Sequence, residues 1–414
     1  MSSKALLILT ALLTCFSPAA LAQDQTGRTY TREDFINVDG GSLTEKIDRA
    51  IKQLKDSKLG DTLWIAYHFQ AREGVQIGPF SGMVYSDGDG IRLVRRDNPE
   101  GAAVFFLTDV SGPRPAFTRV KTLSLNEPYL FENRPVYWLG NVDTAQSLAQ
   151  LETVMRGDRE NKDLVRGVLR AISAHNSPRV VPLLKEIALK ESIFDIQRSA
   201  ISSLGRVPTK ESLDALDEIF NATTNVTLKQ EAIRAYTSSG DRISEKRVLD
   251  RLTAIATKTG EDEAIRKEAI RRIASFRGDA VIDRLLDIYD HTTDRDLKVE
   301  IIRHVSARDS EDDRVLKRLA AIAKGDSDTG MQREAVRRIS AVKGDESVER
   351  LIEIYDGASS DAVKEEVINS LARSESRKAL DKLLAIAKND PNPKLRQSAI
   401  RRLSSGRVSG FSFQ

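Results

Sequence analysis

The chain has 414 residues and a formal net charge of +3, with 64 Lys and Arg against 61 Asp and Glu. That balance speaks against a nucleic-acid binder, whose contact domain would be strongly basic. The single cysteine, Cys15, lies in the N-terminal leader described next. Beyond it the chain forms no intramolecular disulfide and offers no thiolate for metal binding or nucleophilic chemistry.

Residues 1–22 have the three-part layout of a secretory signal: Lys4, an apolar run from Ala5 to Leu13, and a small-residue exit at Ala20, Leu21 and Ala22. Cleavage there makes Gln23 the new N-terminus and predicts an exported protein, periplasmic or extracellular. Lipidation at Cys15 is disfavoured, because Thr14 stands where a lipobox places Gly, Ala or Ser. The apolar run is far shorter than the roughly 20 residues a membrane helix needs, and no other uncharged stretch approaches that length, so no membrane span is expected.

Aromatic residues divide the remainder, since 14 of the 23 Phe, Trp and Tyr fall between Tyr30 and Trp138. Residues 23–141 are read as a small α+β or β-rich domain. Leu43, Ile47, Ile51 and Leu54 recur at helical spacing, after which the pattern turns to period two in Leu63 to Phe69. Met83 to Tyr85 on one side, and Ile91 to Val94 on the other, flank Asp87, Gly88, Asp89 and Gly90, which supply the Asp-Gly chemistry of a hairpin turn. Ala103 to Leu107, Phe117 to Leu125 and Val136 to Leu139 are further strands. No family is recognised in this region.

From residue 144 a helical template recurs. An apolar-x-x-x-small-apolar-x-x-apolar core returns eight times, from Leu164/Val168/Leu169/Ile172 to Leu395/Ala399/Ile400/Leu403, and its sixth position steps by 32, 32, 37, 32, 34, 32 and 32 residues. A second apolar helix precedes each copy, as in Leu148 to Met155 and Val315 to Ala323, so the unit is a helical hairpin. A longer period overlies this one: Asp283 to Asp290 (DRLLDIYD) returns as Glu349 to Asp356 (ERLIEIYD). The fold class predicted is mainly α, a right-handed α-solenoid of about eight hairpins over residues 144–404, followed by a tail, 405–414.

The second helix, typified by Leu395 to Leu403 (LRQSAIRRL), resembles the HEAT and phycobilin-lyase-type HEAT-like repeats, which are armadillo-like solenoids. The resemblance covers residues 144–404 and implies an extended concave binding surface lined by the helix with the Lys/Arg-x-x-Ala pattern. It implies no activity, because fold does not fix function.

Catalytic motifs are absent from the sequence. His68, His175, His291 and His304 stand at no metal-ligand spacing, and the repeated His-Glu pairs of di-iron HEAT-like hydroxylases are missing. There is no Gly-x-Ser-x-Gly elbow and no phosphate loop. An EF-hand register begun at Asp87 puts Ile91 and Asn98 at ligand positions, so that segment reads as a turn. No cofactor is expected. His68, set between Tyr67 and Phe69 on a strand, reads as a hydrogen-bonded packing residue.

One constellation points to binding. At 100° per residue, the position after the sixth of the template faces away from the core stripe, and it holds Arg170, Ser202, Arg234, Arg271, Arg303, Arg337, Asn369 and Arg401. A neighbouring column, Arg272, His304 and Arg338, has a glutamate four residues earlier and is satisfied within its own helix. The first column lacks that partner, although a glutamate three residues back is in reach. Arg234, Arg271, Arg303, Arg337 and Arg401 are therefore the candidate partner-binding residues, set against the reading of a plain solvated face. The function expected is a non-enzymatic scaffold for a protein or peptide partner, acidic in the arginine-column reading. The alternative makes residues 23–141 a small enzyme or ligand-binding domain positioned by the solenoid.

Overall fold

The computed structural model describes residues 29–73, 75, 77, 84–87, 90–93, 101–125, 129–238, 245–308, 313–342 and 344–405. The leader with Cys15, and the tail beyond Ser405 with Phe411 and Phe413, lie outside the described residues. The chain forms two compact units, Met1–Thr223 and Thr224–Gln414.

The first unit opens with short strands β1 (Thr29–Tyr30) and β2 (Ile36–Asn37), helix α1 (Leu43–Ser57) and strand β3 (Thr62–Phe69). Next come β4 (Val84–Asp87), β5 (Gly90–Leu93), β6 (Ala102–Asp109), β7 (Ala116–Ser124), β8 (Tyr129–Leu130) and β9 (Val136–Asn141). Five strands make one mixed sheet in the order β2-β9-β3-β6-β7, in which β3, β6 and β7 are antiparallel neighbours and β9 runs parallel to β2 and β3. β4 and β5 pair antiparallel with Asp87 opposite Gly90, as the hairpin expected at this segment requires, and residues 88 and 89 lie outside the described residues.

The period-two pattern of β3 is resolved by burial on both faces of the sheet. Trp64 and Ala66 join Phe105, Trp138, Phe35 and Phe131 in an aromatic cluster, with Phe105 and Phe131 stacked at 5.2 Å. Helix α1 packs on β3 and β9, burying the predicted Leu43, Ile47, Ile51 and Leu54. Ser42 and Glu45 close its N-terminus as a capping box.

Among the described residues sixteen helices follow in sequence. In the first unit these are α2 (Thr144–Gly157), α3 (Lys162–Ala174), α4 (Val180–Lys190), α5 (Phe194–Leu204) and α6 (Lys210–Ala222). Helix α3 lies on strand β7, and Gly167 makes the approach possible: a Cβ there would sit 2.4 Å from the carbonyl oxygen of Val120. Asn161 caps α3 by accepting from the Leu164 amide at 3.1 Å and donates to the Thr118 carbonyl of β7, also at 3.1 Å.

The second unit holds α7 (Val226–Tyr236), α8 (Glu245–Thr257), α9 (Glu263–Ile273), α10 (Asp279–His291), α11 (Arg295–Arg308) and α12 (Asp313–Gly325). It continues with α13 (Thr329–Ser340), α14 (Asp345–Gly357), α15 (Asp361–Leu371), α16 (Arg377–Asn389) and α17 (Pro393–Ser404). Within the second unit the odd-numbered helices pack on one another in succession from α7 to α17, and even-numbered helices pack as α8 on α10, α12 on α14 and α14 on α16, so this unit has two layers. The predicted template alanines, Ala200, Ala232, Ala269, Ala335 and Ala399, are all fully buried. Ile400 departs from its seven buried counterparts and is 52% exposed. It belongs to the last pair, where no further described helix covers it.

The longer period has a physical counterpart. Tyr289 of α10 donates to Asp326 beyond α12 at 2.7 Å, and Tyr355 of α14 donates to Asp390 beyond α16 at 2.6 Å. Burial first, then the facing carboxylate, pushes both phenol pKa values up, so each remains a donor.

Candidate functional site

The residue after the sixth template position does leave the core, but it does not stand free. Arg234, on α7, directs Nε to Glu268 of α9 at 3.1 Å, and Arg271, on α9, directs Nε to Glu300 of α11 at 2.8 Å. Arg337 of α13 grips Glu366 of α15 with Nε and Nη2, each at 3.2 Å. Each arginine also meets the glutamate three residues back in its own helix, as the sequence allowed: Arg234 with Glu231, Arg271 with Glu268 and Arg337 with Glu334 at 3.5 Å, and Arg303 with Glu300 at 3.1 Å. Arg401, on the last helix, makes no ion pair among the described residues.

The neighbouring column is satisfied within its helices, as read from the sequence. Arg272 bonds Glu268 at 3.0 Å, Arg338 bonds Glu334 at 2.6 Å, and His304 Nε2 lies 3.3 Å from Glu300. The bonds between repeats were not legible, because the partners stand 29 to 34 residues apart and meet only when hairpins stack.

The two partners of each bond differ in depth. Side chains of Arg234, Arg271, Arg303 and Arg337 are 40 to 52% exposed, whereas those of Glu268, Glu300 and Glu366 are 4 to 7% exposed. Burial alone raises a carboxyl pKa, but the surrounding guanidinium groups outweigh it and hold all three glutamates below the ordinary range. The carboxylates thus stay ionised beneath a layer of cations. Their role is to orient arginines that would otherwise sample many rotamers, and each exposed pair adds about 1 kcal/mol or less to stability.

Charge is also divided between the layers. In the second unit α7, α9, α11, α13, α15 and α17 carry 18 Lys and Arg against nine Asp and Glu. The layer of α8, α10, α12, α14 and α16 carries 13 of each.

A different polar cluster, which the sequence did not reveal, lies in the first unit. His175, at the C-terminus of α3, is fully buried and stacks on Phe69 of β3 with ring centroids 4.1 Å apart. Its Nδ1 lies 2.7 Å from the Ala171 carbonyl, which only accepts, so Nδ1 carries the proton. Nε2 therefore accepts from Ser147 of α2 at 2.7 Å, and Ser147 in turn accepts from Tyr67 of β3 at 2.9 Å. Backbone bonds from Asn176 to Gln70 and from Arg72 to Ala174, at 3.0 and 2.8 Å, tie the same helix end to the chain leaving β3. Burial depresses the His175 pKa to about 4, the Arg72 charge acting in the same direction and the Ala171 bond against it. The group is a structural knot, closed to solvent. His68 is half-buried and bonded to Asn141, with its pKa lowered by burial.

Residues 148–237 and 316–404 match the HEAT-repeat family model, so the helical array carries HEAT repeats, as the resemblance implied. A solved structure of human deoxyhypusine hydroxylase in complex with glycerol is 14% identical over 63% of this chain and 84% of that one, with a TM-score of 0.21. The complex of CpcE and CpcF of phycocyanin lyase from Nostoc is 17% identical over 58% of this chain and 92% of that one, with a TM-score of 0.28. At that level of superposition the likenesses carry no inference about activity. No curated protein matches the sequence. No helix among the described residues is long and apolar enough to cross a membrane.

Proposed function

We propose that the chain is an exported, non-enzymatic scaffold that binds an acidic protein or peptide along the odd-helix layer of its second unit. The observation that carries this reading is the charge division: 18 cations to nine anions on one layer, balance on the other. Solubility alone would spread that excess over both layers. Exposed guanidinium groups held from below by ionised glutamates suit planar, bidentate capture of carboxylates. Export rests on Lys4, the apolar run to Leu13 and the small-residue exit at Ala22. Overall charge near neutrality supports a protein partner over a long nucleic acid.

The test is to change Arg271, Arg303 and Arg337 together to Gln, and separately to Lys, and to measure binding of the partner identified by co-purification from the periplasm and mass spectrometry. The Gln variant is expected to bind at least about tenfold more weakly at about 50 mM salt, with the Lys variant between it and wild type. Affinity of the wild type falls as salt rises. Because Gln leaves Glu300 and Glu366 without their strongest partners, thermal unfolding is recorded in parallel and binding is compared where all three proteins are folded. Equal affinity of wild type and the folded Gln variant across the salt range would reduce the row to a solvated face.

A further inference from the structure

Between α11 and α13 the odd-helix layer is indented by a notch of about 150 Å³, lined by Arg295, Arg333, Arg337, Glu334, Val299 and Met331. Three guanidinium groups converge there above a floor of one buried and one half-buried apolar side chain. We propose that this notch is a carboxylate-binding site that anchors one acidic side chain, or the C-terminal carboxylate, of a bound peptide. The proposal rests on the reading above that this layer meets acidic chains, and it names where such a chain is gripped.

Charge arithmetic comes first. Arg295 Nε is held by Asp328 at 3.0 Å, and Glu334 is held by Arg338 at 2.6 Å. Glu366 faces both remaining guanidiniums, with Arg333 at 3.0 Å and Arg337 at 3.2 Å, and Arg337 also meets Glu334 at 3.5 Å. Among the described residues four arginines thus share three carboxylates, which leaves the cluster with one positive charge in excess. A bound carboxylate completes it.

Geometry comes second. Gly330 opens the first turn of α13, and a Cβ built on it would fall 2.7 Å from Arg295 Nη2 and 2.9 Å from Asp328 Oδ1. The missing side chain is what lets the Arg295 fork sit against the helix, with Nε bonded to Asp328 and the residue lining the notch. The helix terminus itself is not the binder, because Asp328 Oδ1 already accepts from the Gly330 and Met331 amides at 2.6 and 3.3 Å. Two parallel N–H groups from one guanidinium match the two oxygens of a carboxylate.

Gly330→Ala displaces the Arg295 fork without removing a charge. Alanine is the better helix former, but its Cβ also crowds the Asp328 oxygen that caps α13, so thermal unfolding is recorded in parallel and binding is compared where the variant is folded. The experiment measures fluorescence anisotropy of a fluorescein-labelled hexaglutamate peptide with the full chain, as wild type, Gly330→Ala, Arg295→Gln and Gly157→Ala, at about 50 mM salt. Gly157 is a control, since a Cβ there meets nothing within 4 Å. Gly330→Ala and Arg295→Gln are each expected to weaken the probe by about fivefold or more, the loss of one charge-assisted bond, and Gly157→Ala not at all. Glutarate is expected to displace the probe from wild type at lower concentration than inorganic phosphate does. Wild-type affinity in both notch variants overturns the notch and leaves the wider layer standing if the Arg271/Arg303/Arg337 variant still binds poorly. Phosphate as the better competitor overturns the carboxylate assignment. Failure of wild type to bind the probe any better than a hexalysine peptide overturns the notch and the acidic-partner reading together.

Discussion

Changing His175 to Gln is expected to lower the unfolding free energy by about 3 kcal/mol at pH 7 and to flatten the response of the protein to acid. The imidazole is fully buried, stacks on Phe69, and bonds the Ala171 carbonyl and the Ser147 hydroxyl. A glutamine keeps one of those bonds at best and loses the stacked ring. The direction of the acid effect follows from the shift. His175 titrates near 4 in the folded chain against about 6.5 unfolded, so the native state favours the neutral ring. Its contribution is complete above pH 6.5 and is lost as pH falls from 6.5 toward 4, at about 1.4 kcal/mol per unit, roughly 3 kcal/mol in all. Protonating Nε2 would turn a donor against the Ser147 hydroxyl and strand the donor of Tyr67 behind it. Urea titrations followed by Trp64 and Trp138, the two tryptophans of the chain and both in the first unit, report this region selectively. Wild type equally stable at pH 7 and pH 4.5 would refute the assignment. So would a variant with the same acid slope.

Gly167→Val is expected to cost about 3 kcal/mol, the upper end for overpacking a site that cannot yield. Three atoms of Val120 lie within 3.1 Å of the position a Cβ would take, two of them backbone. Rotamer changes cannot clear a backbone carbonyl, so α3 must lift from β7, loosening the bond from Asn161 to Thr118. Gly157→Ala, at an open helical site, is the matched control and is expected to be neutral or slightly stabilising. A Gly167→Val variant with the denaturation midpoint of wild type would mean that α3 is not seated on the sheet as described.

Much of the array was legible because one template had to serve every hairpin. A position that repeats as alanine across five copies has to sit at a close helix contact, and Ala200 through Ala399 do. The return of DRLLDIYD as ERLIEIYD marked a longer period, and in the structure Tyr289 and Tyr355 find the same kind of aspartate. Six of the nine described strands, β3 to β7 and β9, were recognisable in the sequence, whereas the two-residue β1, β2 and β8 were not. Their order was not, since β9 inserts between β2 and β3 although it comes last in the chain. Nothing in a period-two pattern encodes that choice.

The candidate site was half legible for a related reason. Helical geometry placed Arg234, Arg271, Arg303 and Arg337 on one stripe and identified their i−3 glutamates. The second glutamate of three of them belongs to the next hairpin, and its identity depends on the rise and rotation between repeats, which sequence spacing alone does not fix. His175 was hidden more fully. Its three partners, Phe69, Ser147 and Ala171, come from a strand and two helices, and no local motif joins them.

The central claim, that an acidic partner lies along the odd-helix layer of the second unit, is tested most directly by amide hydrogen exchange of the full chain with and without the purified partner. Slowed exchange is expected in the first and last turns of α9, α11 and α13, with α10, α12 and α14 unchanged. Protection confined to the even-numbered helices, or to residues 29–141, would contradict the account.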